Sequence, residues 1–136
     1  MKKVSIIIPV FNESSNIEPL LNALDDSLPD CYGYEIIFVD DGSADGTLEV
    51  LQQAIFRGSK VGYLSFSRNF GHQNALRAGL DYGVGDCVIS MDGDLQHPPE
   101  LIPELLEKWE EGFAPAAATA RNRAHSNVKR LNGFTG

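Results

Sequence analysis

Four short apolar runs, each followed by a stretch of helical periodicity, constrain what this chain can fold into more than any other feature. Residues 4–8 are a β-branched run of the kind a strand carries when both its faces are buried. Ile17, Leu20, Leu21, Leu24 and Leu28 then fall on one helical stripe. Ser14 or Ser15 is its expected cap, Glu18 sits in its first turn, and Pro29 limits its far end. Residues 35–39 read as a second strand, and 47–55 as a second helix with Leu48, Leu51 and Ile55 inward. Residues 61–66 read as a third strand, 67–73 as a polar loop and 74–82 as a third helix. Residues 87–91 are a fourth strand. Pro98 or Pro99 then opens a fourth helix with Leu101, Ile102, Leu105, Leu106 and Trp109 on its apolar face.

The order βαβαβαβα predicts an α/β fold: a parallel sheet with helices on both faces and right-handed crossovers. A chain of 136 residues has room for one such domain and a real core. Segment 114–120, Ala-Pro-Ala-Ala-Ala-Thr-Ala, reads as a weak fifth strand, which Pro115 restricts to an edge or a strand start.

A parallel sheet has a functional consequence. The loops that follow its strands all open on one edge, so groups distant in sequence converge there. Three of the four loops carry chemistry: Pro9-Val10-Phe11-Asn12-Glu13, Asp40-Asp41-Gly42-Ser43 and Asp92-Gly93-Asp94. In the last, two carboxylates one residue apart repel each other unless a cation lies between them. Mg²⁺ and Mn²⁺ take oxygen ligands and are often held by one or two carboxylates plus substrate phosphates. Asp92 and Asp94 are therefore candidate metal ligands, Gln96 adds an amide oxygen, and Gly93 admits a close backbone approach. The simpler alternative is a polar turn leading into the helix after Pro98.

Asp40 and Asp41 end a hydrophobic strand, where acids can accept hydrogen bonds from a ribose or a base edge. An Asx turn, with Ser43 or Asp45 capping the next helix, is compatible with that role. Arg68 is a fixed cation in the third loop, suited either to a diphosphate or to a bridge with Asp40 or Asp94. His72 and His97 have the chemistry for acid–base work, although a surface, capping or turn-shaping role is the simpler reading of each.

A net charge of −8 argues against a nucleic-acid partner, whose affinity comes largely from Lys and Arg on phosphates. It does not disfavour a small anionic ligand, because a bound cation reverses the local charge. Two distant cysteines, Cys31 and Cys87, fit a reducing compartment, with Cys87 read as a buried, inert thiol. The apolar run after Met1-Lys2-Lys3 is too short for a signal peptide, and no stretch reaches transmembrane length. The chain is thus expected to be soluble and cytoplasmic. It has no Gly-x-Gly-x-x-Gly after its first strand, no Gly-Lys-Ser/Thr and no Gly-x-Ser-x-Gly. Dinucleotide dehydrogenases, P-loop enzymes and nucleophile-elbow hydrolases are therefore disfavoured.

Ile7-Ile8-Pro9-Val10-Phe11-Asn12-Glu13, Val39-Asp40-Asp41-Gly42-Ser43, Ser67-Arg68-Asn69-Phe70-Gly71 and Met91-Asp92-Gly93-Asp94-Leu95-Gln96-His97-Pro98-Pro99-Glu100 together resemble glycosyltransferase family 2. The likeness covers about the first 110 residues and is closest to the branch of dolichol-phosphate mannose synthase and bacterial polyprenyl-phosphate sugar transferases. It implies a Rossmann-like GT-A fold and a nucleotide-diphosphate sugar donor, UDP- or GDP-linked. Pro9, Phe11, Asn12, Glu13, Asp40, Asp41, Arg68, Asp92, Gly93 and Asp94 would bind that donor. Asp92, Asp94 and Gln96 would hold Mg²⁺ or Mn²⁺ in an Asp-x-Asp motif, and the sugar would pass with inversion to a lipid phosphate acceptor.

Domains of this branch run to roughly 200 residues or more. Residues 1–136 are then expected to be the nucleotide-sugar-binding part of a longer GT-A domain. The acceptor half and any catalytic base would lie beyond Gly136, so no catalytic residue is assigned. The longer protein would work at the cytoplasmic face of a membrane. Arg121, Arg123, His125, Lys129 and Arg130 would face anionic lipid there, or form a solvated end. Two alternatives stay open: a noncatalytic nucleotide- or metal-binding module, and a family 2 transferase acting on a polysaccharide or other glycan. An incomplete sheet also leaves an edge to cover, which a homo-oligomer would do.

Overall fold

The computed structural model describes residues 1–57, 60–94, 98–112 and 118–120. Gln96, His97 and the basic segment from Arg121 onward lie outside the described residues. Four strands run parallel: β1 (Lys3–Val10), β2 (Gly33–Asp40), β3 (Val61–Ser65) and β4 (Cys87–Ser90). A short β5 (Ala118–Ala120) pairs antiparallel with β4, which makes the sheet order β3-β2-β1-β4-β5. The helices are α1 (Ile17–Ser27), α2 (Thr47–Ala54), α3 (His72–Tyr82) and α4 (Ile102–Glu110).

Helices cover both faces of the sheet, as the alternating pattern predicts. On one face Val4, Ile6, Ile8 and Val10 of β1 join Ile36 and Phe38 of β2 beneath α1, α2 and α4. On the other, Ile7, Ile37, Val39, Leu64 and Val88 pack beneath α3 through Ala75. That packing is close. A Cβ on Gly79 would lie 2.3 Å from Ile7 Cγ2, so glycine is what lets α3 rest on β1.

Ser5 is the one polar side chain inside the apolar run of β1, and it is fully buried. Its hydroxyl donates to Glu35 Oε2 and accepts the Gly85 N–H at 2.7 Å, while Glu35 Oε2 also accepts the Val84 N–H at 2.6 Å. A buried hydroxyl costs little once it is paired in this way. The network ties the α3–β4 connection to the sheet edge opposite the functional loops. Cys87 is also fully buried, and burial pushes its thiol up to about 11, as expected of an inert side chain.

Several local expectations are corrected. Ser14 and Ser15 do not cap α1. Asn16 occupies that position, its N–H donating to Glu13 O at 2.9 Å and its Nδ2 to Glu13 Oε2 at 2.6 Å. Ile55 leaves the α2 stripe for a 3₁₀ turn, Ile55–Arg57, and Ala54 is the inward residue instead. Leu101 ends a 3₁₀ turn, Pro99–Leu101, that precedes α4, and is half-exposed rather than part of the apolar face. In both cases the tighter 3₁₀ turn rotates the side chain off the 3.6-residue stripe. Strand five is present at the edge, but it runs against the others. Among the described residues no helix is long and apolar enough to cross a membrane.

Candidate functional site

The strand order creates the site. The chain builds outward from β1 to β2 and β3, then returns to place β4 on the other side of β1. The loops after β1 and β4 therefore lie side by side at the carboxyl edge of the sheet, both leading to helices on one face, while the loop after β3 leads to α3 on the other. A cleft of about 300 Å³ lies there, lined by Pro9, Val10, Phe11, Glu13, Asp41, His72, Asp92, Gly93 and Asp94. Phe11 is 44% exposed and offers an apolar surface at the mouth.

Gly93 explains how the acid turn reaches the cleft. It is buried, and a Cβ there would lie 2.6 Å from Val10 Cγ1. The turn can rest on the end of β1 only because the side chain is missing. Asp92 and Asp94 are thus held on the β4 wall, opposite Glu13 and Asp41.

Asp41 does two jobs. It is 4% exposed, and its carboxylate accepts the N–H groups of Phe70 at 2.8 Å and Gly71 at 3.2 Å. One side chain of the β2 loop thereby clamps the β3–α3 loop while still facing the cleft. Gly42 makes that contact tighter. Its φ is +72°, and a Cβ would sit 2.2 Å from the Arg68 carbonyl carbon. Arg68 itself stacks on Phe70, its guanidinium carbon 4.3 Å from the ring centroid.

Three expected donor-binding residues do not line the cleft. Asn12 adopts a φ of +55°, a conformation asparagine tolerates. Its Oδ1 accepts the Ala44 N–H at 2.8 Å and the Asp45 N–H at 3.3 Å, so it brackets the β1 loop to the β2 loop. Asp40 is buried, and its Oδ1 accepts the Ser43 N–H at 3.0 Å in the Asx turn. Arg68 points its guanidinium over Phe70. These side chains shape the loops from behind. Conversely, Val10 and His72 do line the cleft. In the sequence Val10 reads as part of the loop that starts at Pro9, whereas β1 runs on to Val10, two residues past the apolar run 4–8. His72, weighed in the sequence only for acid–base work or a surface role, reaches the cleft as the first residue of α3, which begins at residue 72 rather than 74. Its Nε2 lies 3.2 Å from Asp92 Oδ1, so the simpler surface reading misses a neighbour twenty residues away.

Asp45 completes the bracket. It accepts the Thr47 N–H at 2.9 Å, the Thr47 hydroxyl and the Ser14 N–H at 3.4 Å. The Thr47 hydroxyl bond, with smaller backbone help, holds its carboxyl below the usual range. Because the folded value is depressed, the stabilisation is complete above the ordinary carboxylate value of about 4 and is lost as pH falls through the lowered one. Asp45→Ala is expected to lower Tm modestly at pH 7 and to match the unaltered protein in strong acid; thermal melts at both pH values check this.

The donors present fit a hard divalent cation. Two carboxylates share one turn in an open cleft; among the described residues no group of three or more His, Cys, Asp and Glu is placed to hold a metal ion. A cation held by two carboxylates would keep coordination positions for water and for a ligand's phosphates, the usual arrangement for Mg²⁺.

Comparison with known proteins agrees with this architecture. Residues 5–132 match the model of "Glycosyl transferase family 2". An uncharacterised glycosyltransferase of Synechocystis is 47% identical over 122 residues, covering 89% of this chain and 38% of that protein. An undecaprenyl-phosphate 4-deoxy-4-formamido-L-arabinose transferase of Klebsiella pneumoniae is 40% identical over 132 residues, covering 96% and 40%. Residues 1–349 of S. aureus TarS, solved in complex with UDP-GlcNAc, superpose with a TM-score of 0.67 at 26% identity, covering 80% of this chain and 31% of that one. The chain spans about two fifths of the length of these curated relatives. With the family match running almost end to end, the chain belongs to glycosyltransferase family 2.

Proposed function

We propose that this chain is the donor-binding part of a metal-dependent, inverting glycosyltransferase that uses a nucleotide-diphosphate sugar. The observation that carries the reading is the crevice at the β1/β4 switch point, with Pro9, Phe11, Glu13 and Asp41 on one wall and Asp92, Gly93 and Asp94 on the other. The first wall suits a nucleoside: an apolar ring and proline flank two acids that accept hydrogen bonds from base or ribose. Asp92 and Asp94 would hold Mg²⁺ or Mn²⁺, with Gln96 as a further oxygen donor. When bound, the cation supplies charge neutralisation at the leaving nucleoside diphosphate.

The chain's own contribution is placement. Asp41 and Gly42 hold the β3–α3 loop, Asn12 and Asp45 hold the β1 loop, and Gly93 seats the acid turn. Fixing the donor in this way lowers the entropic cost of direct displacement at the anomeric carbon. The acceptor we assign is a polyprenyl phosphate presented at the cytoplasmic face of a membrane. That assignment is supported by the name of the Klebsiella relative and by the branch the motifs resemble.

Calorimetric titration with UDP- and GDP-sugars, each with and without Mn²⁺, tests the reading. Binding to one nucleotide class that requires the metal is expected. Metal-independent binding, or none by a folded sample, would overturn it.

A further inference from the structure

We propose that His72 is a positioning residue that orients the Asp92 carboxylate for the divalent cation; this rests on the donor site proposed above. His72 Nε2 lies 3.2 Å from Asp92 Oδ1, and both side chains line the cleft. They come from opposite ends of the β3–α3–β4 crossover: His72 is the first residue of α3, and Asp92 follows β4. In the Nε2–H tautomer the ring donates to Oδ1. That bond ties the orientation of the carboxylate to the start of α3.

The backbone that leads into His72 is itself held. Asp41 accepts the N–H groups of Phe70 and Gly71, the two residues just before His72. Asn74 Nδ2 donates to Phe70 O at 2.6 Å across the first turn of α3. A chain of contacts thus runs from the nucleoside wall, through Asp41 and the start of α3, to the acid turn.

The imidazole acts through Asp92 rather than as a ligand. Nε2 already faces a carboxylate oxygen, and Mg²⁺ and Mn²⁺ prefer oxygen donors. Hydrogen-bond partners that orient metal ligands typically change metal affinity 10–100-fold when removed, which is roughly the effect to expect here. Because His72 is exposed and at a helix start, its replacement should leave the fold intact.

The test compares the unaltered protein with His72→Ala and His72→Gln, reading Mn²⁺ binding by electron paramagnetic resonance of the free ion and Tm by thermal melting. His72→Ala is expected to bind Mn²⁺ about 10–100-fold more weakly at unchanged Tm. His72→Gln, which keeps an N–H donor, is expected to recover most of the affinity. Unchanged Mn²⁺ affinity in His72→Ala overturns the positioning role and leaves the donor site standing. Equal loss in both variants overturns it as well, since a direct nitrogen ligand would behave that way. A lowered Tm in both variants would assign His72 to the fold instead. No Mn²⁺ binding by the unaltered protein, with or without donor, removes the cation site itself.

Discussion

Asp94→Ala is expected to abolish metal-dependent donor binding while leaving the protein folded. Asp94 is exposed on the acid turn at the carboxyl edge of the sheet, outside both apolar clusters. Exposed substitutions of this kind usually change stability by no more than about 0.5 kcal/mol. Its chemical effect is much larger. Two carboxylates on one turn supply the charge that holds a hard cation, and losing one leaves Asp92 to do so with water and phosphate. Removing even an indirect partner of a metal ligand costs about 10–100-fold in affinity, so loss of a direct ligand should cost at least about 100-fold. The checks are calorimetry with donor and Mn²⁺ and a thermal melt of the same sample. Normal Mn²⁺-dependent donor binding by the variant would remove Asp94 from the site.

Gly42→Ala should have the largest effect on stability and should disable the cleft as well. Two costs combine. The φ of +72° disfavours any residue with a side chain, by roughly 1–2 kcal/mol. A Cβ would also meet Arg68 C at 2.2 Å, Asn69 N at 2.4 Å and Arg68 O at 2.6 Å. All three are backbone atoms, so no rotamer change relieves the clash. The loop cannot simply retreat either, because the Asp41 carboxylate holds Phe70 and Gly71, and the Phe66 N–H donates to Asp40 O at 2.9 Å. Overpacking of this kind adds about 1–3 kcal/mol, for a total of about 2–5 kcal/mol and a fall in Tm on the order of 10 °C. Displacing the loop also moves His72 and Asp41 and should weaken donor binding. Gly71→Ala separates the two costs. Its φ is +101°, but a Cβ there would meet open space, so it should bear the backbone strain alone. A Gly42→Ala protein that melts with the unaltered one would show that the two loops are not locked together.

The legible parts of the fold were those governed by local periodicity. The β-branched run of β1 and the leucine stripe of α1 report a buried strand and an amphipathic helix wherever they occur. Element ends were less legible. Residues 55–57 and 99–101 switch to 3₁₀ geometry, a change that costs little locally and leaves no clear residue signal. Pro9 and Val10 read as the start of a loop. Yet β1 continues to Val10, whose carbonyl accepts the Asp41 N–H at 2.9 Å. Within the site, the convergence of the three loops follows from a parallel sheet and was readable from the sequence. The division of labour inside those loops was not. Asn12 and Asp40 carry the right chemistry for a ligand, but their side chains are committed to neighbouring backbone.

The sequence by itself determined that this chain is α/β, that its sheet is parallel, and that acids gather at one edge of it. Those properties are written in periodicity and in the residues that follow each strand, and both are local. Only the tertiary structure decided which loops face each other. Strand order is set by how crossovers bury two sheet faces at once, a balance summed over the whole chain rather than carried by any segment. That balance put β4 beside β1, opened the cleft between them, and brought His72 to Asp92 across the α3 crossover.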